Sequence, residues 1–165
     1  MERTTMAFTL TRLLASVPMP TAAKNFLFGR WTKQLEKEFV GTVTDKFLER
    51  LLGGMDAAFL LFKDYRRNIE GFEGRYLFVT QDGEVNVAAI FKNGDMKVHE
   101  NAIDSYDVKV TFKDAPALLK FLFSRNQDIL NSLLANEVET DGNLNYLYKF
   151  GFMARDLMRR IGIQP

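Results

Sequence analysis

His99 is the sequence's one histidine, and Glu100, Asp104 and Ser105 follow it closely. An imidazole can take and return a proton near neutral pH, and a hydroxyl beside such a base can act as a nucleophile. The spacing does not support that chemistry. Triads are set by geometry in the fold, and no neighbour in sequence orients His99. It reads as an edge histidine at the end of a predicted strand. Metal chemistry is no better served. Zinc and other transition metals favour thiolate and imidazole ligands, and the chain has no cysteine. Its carboxylates form neither an HExxH pattern nor a calcium loop. The phosphate-binding lysine–hydroxyl ending and the dinucleotide GxGxxG are also missing. Tyr65-Arg66-Arg67 is a small basic cluster that suits surface salt bridges, with a headgroup or partner contact as the alternative. No catalytic, metal-ligating or cofactor-binding residue emerges, and no enzyme is expected.

What stands out instead is apolar. Aromatic residues make up 13% of the 165 residues, 15 of them phenylalanine. Such an interior serves as a core or lines a hydrophobic ligand site. Net charge is +1, from 22 basic and 21 acidic residues, which lacks the basic field of a general nucleic-acid binder. Residues 1–35 differ, with Arg3, Arg12, Lys24, Arg30 and Lys33 against Glu2 alone. That leader suits a docked helix, or contact with an anionic membrane surface or an acidic partner. Arg12 interrupts its apolar run, making it a poor signal peptide, and no stretch is long and uncharged enough to span a bilayer. A cytoplasmic location is expected, with peripheral membrane contact through the N-terminal helices as an addition.

The elements that must position these side chains fall in two blocks. Residues 7–17 predict a short helix ended by Pro18 and Pro20, and Thr21 opens another. Phe47, Leu48, Leu51 and Leu52 have helical spacing, and Gly53-Gly54 predict a kink or a break before MDAAFLLF. From Arg75 the pattern turns to sheet. Asp82-Gly83 and Asn93-Gly94 are two-residue turn signals between strands near 75–81, 84–92 and 95–99. A fourth strand covers 106–112, with Val108, Val110 and Phe112 on one face. Asp114 caps a helix with Pro116 in its first turn, a short helix covers 127–134, and a fifth strand covers 136–140. A terminal helix runs from about 143 to 160. The order predicts an α+β fold with helices covering a sheet.

Two helices carry more apolar surface than one buried face requires. Leu118, Leu119, Phe121, Leu122 and Phe123 are interrupted only by Lys120. In the terminal helix, Tyr146, Phe150, Met153 and Leu157 form one face, and Leu144, Leu147, Tyr148, Gly151, Ala154 and Met158 adjoin it. Lys149, Asp156 and Arg160 mark a narrow wet side. A surface helix needs an apolar arc of about 100°. The wider arc here suits a core packed on two sides, a cavity lining or an interface.

From RYLFVTQDGEVNVAAIFKNGDMKVHE through YDVKVTFKDAPALLKFLFSRNQDILNSLLANEVETDGNLNYLYKFGFMARDL, the chain resembles the sterol carrier protein family over about 72–160. The likeness lies in the order of elements: three strands, a fourth, an acid-capped helix, a polar helical segment, a short strand, a glycine turn and an apolar terminal helix. It implies a five-stranded, mainly antiparallel sheet covered by helices, with a hydrophobic tunnel for fatty acyl groups, sterols or phospholipids. The leader LLASVPMPTAAKNFLFGRW is similar to that of bacterial family members that serve ubiquinone biosynthesis as accessory lipid-binding proteins. The resemblance implies no catalytic residue and no cofactor. Helical faces then nominate Leu118, Leu122, Tyr146, Phe150 and Met153 as tunnel lining. The chain departs from the family in the long helical stretch 43–71, in lacking a Gly/Lys-rich phrase near 124–137, and in the bulk of Phe150 and Phe152.

The expectations are therefore a helical extension over 1–70, which could also be integral to the fold, and a lipid-binding domain over 71–165. The expected function is non-catalytic binding or transfer of a hydrophobic ligand: fatty acyl, phospholipid or isoprenoid-quinone type. The alternative is an assembly module with a closed tunnel that uses its apolar helices against a second copy or a pathway protein.

Overall fold

The computed structural model describes residues 47–114, 116–118, 121 and 129–161, with isolated positions between 20 and 33. The predicted helices at 7–17 and from Thr21 therefore lie almost wholly outside the described residues. Helix α1 is Phe47–Leu61 and α2 is Lys63–Arg66, followed by a 3-10 turn at Arg67–Ile69. Strands β1 (Gly74–Thr80), β2 (Asn86–Lys92), β3 (Asp95–His99) and β4 (Val108–Phe112) come next. Helix α3 (Ile129–Leu134), β5 (Val138–Gly142) and α4 (Leu144–Arg160) complete the order.

The five strands form one sheet in the order β3-β2-β1-β4-β5. Three pairings are antiparallel, and β1–β4 is parallel, so the sheet is mixed but mainly antiparallel. This is the α+β architecture expected. The parallel pairing has a topological cost. Two strands, β2 and β1, lie between β3 and β4, so the connection 100–107 has to cross the sheet to begin β4 beside Tyr76.

Register puts Tyr76, Phe78, Ala89, Phe91, Val108, Val110 and Phe112 on one face, since each is paired with another of this set or lies two residues from one. Helices α1 and α4 cover that face and share one continuous core with it. Phe47, Leu48, Leu51, Leu52, Met55 and Phe59 of α1 belong to this core, so the segment 47–69 packs with the sheet.

Two sequence expectations shift. The helix does not break at Gly53-Gly54: α1 is unbroken, with Leu52, Gly54 and Met55 all buried. Tertiary burial outweighs the roughly 1 kcal/mol that each glycine costs a helix. The fifth strand begins at Val138 rather than residue 136. Asn136 takes a left-handed φ of 54° just past α3, and its N–H donates to the Leu133 carbonyl. That is a helix-ending geometry, and it delays the strand.

Candidate hydrophobic site between the sheet and the terminal helix

Helix α4 is started by Asn143, whose side-chain oxygen accepts from the Asn145 N–H at 3.0 Å. Gly142 ends β5 at φ 106°, and a Cβ there would collide with the Asp107 carbonyl oxygen. A glycine is therefore required where the chain turns from the last strand into this helix.

The helix lays Phe150 on the sheet. Its ring lies 4.7 Å from Phe78 and 5.7 Å from Tyr76, between ring centroids. Tyr76 continues to Tyr146 at 5.8 Å and to Phe91 at 5.4 Å. Phe72 touches Phe91 and Tyr146, each at 5.6 Å, and Phe91 reaches Phe59, which stacks on Tyr65 at 4.4 Å. The rings form one connected layer between the helices and the sheet. Such tilted and edge-on contacts contribute about 0.5–1.5 kcal/mol each beyond simple burial.

The buried hydroxyls of the layer, those of Tyr65 and Tyr76, are satisfied. Tyr65 donates to the Met153 carbonyl at 2.9 Å, and Tyr76 donates to the Tyr146 carbonyl at 2.9 Å. Burial raises both phenol pKa values well above the ordinary range; Asp156 adds to the effect at Tyr65 and the Tyr146 phenol at Tyr76. Both tyrosines therefore act as neutral donors.

The layer reaches solvent at one end. Phe72 and Tyr146 are half-buried, and the Lys149 ammonium sits 5.6 Å above the Phe72 ring. Gly74 makes room there, since a Cβ at that position would lie 2.5 Å from Tyr146 Cε1.

Of the five nominated lining residues, Phe150 and Met153 are 1% and 0% exposed, and Leu118 is 2% exposed. Phe150, Tyr146 and Met153 lie in or against the same ring layer. Leu118 belongs to the same core, after the Asp114 cap, whose carboxylate accepts from the Ala117 N–H at 2.8 Å. Leu122 lies outside the described residues. Sequence reasoning missed Phe72, Tyr65 and Phe91. Their contacts are with rings elsewhere in the chain, as between Phe72 and Tyr146, and no local pattern announces them.

The wet side of α4 also differs from expectation. Of Lys149, Asp156 and Arg160, Arg160 is exposed, while Lys149 and Asp156 are half-buried. Asp156 accepts from Asn68 at 3.1 Å and from Arg160 at 3.0 Å, and Arg160 lies over the Tyr65 ring at 5.7 Å. These charges are drawn onto the flank beside α2. The outward positions fall to Tyr148 and Phe152, each 49% exposed.

His99 ends β3 and is exposed, while the Ser105 hydroxyl accepts from Arg75 Nη1 at 2.6 Å. The two are not brought together. Among the described residues, no group of three or more acidic, histidine or cysteine side chains converges, and no helix is long and apolar enough to cross a membrane.

No protein-family model and no curated protein sequence matches the chain. Solved structures do. The ubiquinone-synthesis protein UbiJ-SCP2 is 17% identical over 67% of this chain and 98% of its own, with a TM-score of 0.49. The sterol carrier protein domain 2 of Helicoverpa armigera is 20% identical over 71% of this chain and 91% of its own, also at 0.49. The sec-alkylsulfatase Pisa1 of Pseudomonas sp. is 21% identical over 59% of this chain, which spans 16% of that enzyme, at 0.47. At such identities and scores the likeness concerns architecture alone. Among the described residues, the strands and helices follow the order expected from the sterol carrier resemblance.

Proposed function

We propose that the chain is a non-catalytic binder or carrier of a hydrophobic ligand, held between the sheet and α4. One observation carries this reading: a connected aromatic layer, with the Tyr65 and Tyr76 hydroxyls satisfied internally, surfaces at Phe72 and Tyr146 beside a lysine. Hiding an alkyl or isoprenoid chain from water yields about 0.8 kcal/mol per buried CH₂, so the interior needs no further polar partner. Lys149 at the rim suits an anionic head, such as a carboxylate. Fatty acyl, phospholipid and isoprenoid-quinone ligands all fit this class, and the resemblance of the leader favours the last. Entry requires the half-buried Phe72 and Tyr146 rings to part.

A second reading is favoured by the close packing of Phe150, Met153 and Leu118. In that reading the interior is filled, and the protein serves as an assembly module. Two measurements on the full chain separate them. Lipids retained after detergent-free purification are extracted and identified by mass spectrometry. A fluorescent long-chain fatty acid is then titrated against the lipid-stripped protein. The carrier reading expects retained lipid and saturable binding, weakened up to about fivefold by Lys149→Gln. No retained lipid and no saturable binding would leave the assembly reading.

A further inference from the structure

The outward face of α4 is the least explained surface of the molecule. At about 100° per residue, Leu144, Tyr148, Phe152, Arg155 and Arg159 fall within a narrow strip opposite the buried side. Leu144, Tyr148, Phe152 and Arg159 are exposed, and Arg155 is half-buried. A lone exposed apolar residue needs no explanation, but three in line along one helix do.

The strip is also ordered by charge. Its first half is apolar and its second half is basic. The single acidic residue of α4, Asp156, lies on the flank and is engaged by Asn68 and Arg160. Among the described residues, neither Arg155 nor Arg159 pairs with a carboxylate; Arg155 Nε donates to the Gly151 carbonyl at 3.3 Å. Helix-end electrostatics accounts for Arg159, which lies in the last turn, but not for Arg155.

We infer that this strip rests on an anionic lipid surface. The helix lies flat, Tyr148 and Phe152 enter the boundary between headgroups and acyl chains, and the two guanidiniums meet lipid phosphates. The charge pattern selects this occupant. Two copies of the strip placed face to face would offer the arginines no carboxylate, whereas a phosphate-bearing surface offers many. The contact does not depend on a ligand inside the protein, and it is separate from any contact made by the leader.

Flotation of the full chain with vesicles tests the contact. The expected result is binding to an equal mixture of phosphatidylcholine and phosphatidylglycerol, weaker binding to phosphatidylcholine alone, and release by high salt. Arg159→Gln should weaken binding to the mixed vesicles about fivefold. The double variant Tyr148→Ser/Phe152→Ser should abolish it while leaving the thermal transition unchanged, because both side chains are exposed. Vesicle binding that survives the double variant would place the contact elsewhere and overturn the inference. So would a self-associating wild type that becomes monomeric in the double variant, or the absence of binding to the mixed vesicles. If the double variant loses its thermal transition, Phe152→Gln alone gives the same readout.

Discussion

Phe150 and Phe152 are two residues apart on one helix, yet they live in different solvents. Phe150 is 1% exposed and touches two rings of the sheet, whereas Phe152 is half-exposed on the opposite side. The same contrast runs the length of α4. Leu147, Met153, Ala154, Leu157 and Met158 face inward, while Leu144 and Tyr148 face out. Apolar residue types therefore do not mark the buried side here. The flanks do: Lys149 is held over Phe72, and Asp156 and Arg160 are held beside α2. Those contacts agree with the rotation set by the buried side chains and leave aromatic side chains to face outward.

The most severe way to break this contrast is to delete each ring in turn. Phe150→Ala should cost about 3–5 kcal/mol, because it opens a cavity among rings that cannot all move in to fill it. Phe152→Ala should stay within about 0.5 kcal/mol. Urea unfolding of the two variants checks the difference, and equal losses would show that the outer ring is packed after all. A smaller effect is expected at the seam between α4 and the segment before the sheet. Tyr65→Phe removes the hydrogen bond to the Met153 carbonyl and should cost about 1 kcal/mol. It also carries a pH signature. Burial raises the Tyr65 pKa, so its contribution is complete below the ordinary tyrosine value near 10 and is lost as pH rises through the raised one. The alkaline loss of stability should therefore be shallower in Tyr65→Phe, with Tyr76 supplying what remains.

The smallest effect lies away from both faces of the helix. Hydrogen bonds from Arg75 hold the Asp107 carboxyl below its usual range. That contribution is present above the unfolded value near 3.9 and is lost as pH falls through the lowered one. Both side chains are substantially exposed, so water and salt screen the pair. Asp107→Asn should flatten the acid limb of a pH–stability profile slightly while leaving the α4 contrast intact.

Local chemistry was the legible part of the sequence. Asn93 and Gly94 both take positive φ, at 54° and 68°, as a two-residue hairpin turn requires. Asp114 caps its helix. Strand ends were off by one or two residues where side chains compete for backbone groups. The first turn widens because Thr80 Oγ1 accepts from the Val85 N–H, and the fourth strand starts late because Asp107 turns to Arg75. The parallel pairing of β1 with β4 and the ring layer were not legible. Both depend on residues brought together from far along the chain. The sterol carrier resemblance supplied the order of elements, and the helical face, rather than the resemblance, nominated Phe150 over Phe152.

The sheet order also bears on how the chain is made. β1 sits at the centre, and its second neighbour, β4, ends only at Phe112. During synthesis, the hairpins of β1, β2 and β3 exist first, with one edge of β1 unpaired and its own Tyr76 and Phe78 not yet covered by α4. An open, aromatic strand edge is a template for pairing with another nascent chain. The interval between emergence of Thr80 and of Arg160 is thus the stretch in which the nascent chain is most open to aggregation, and truncation anywhere within it should leave an aggregating chain.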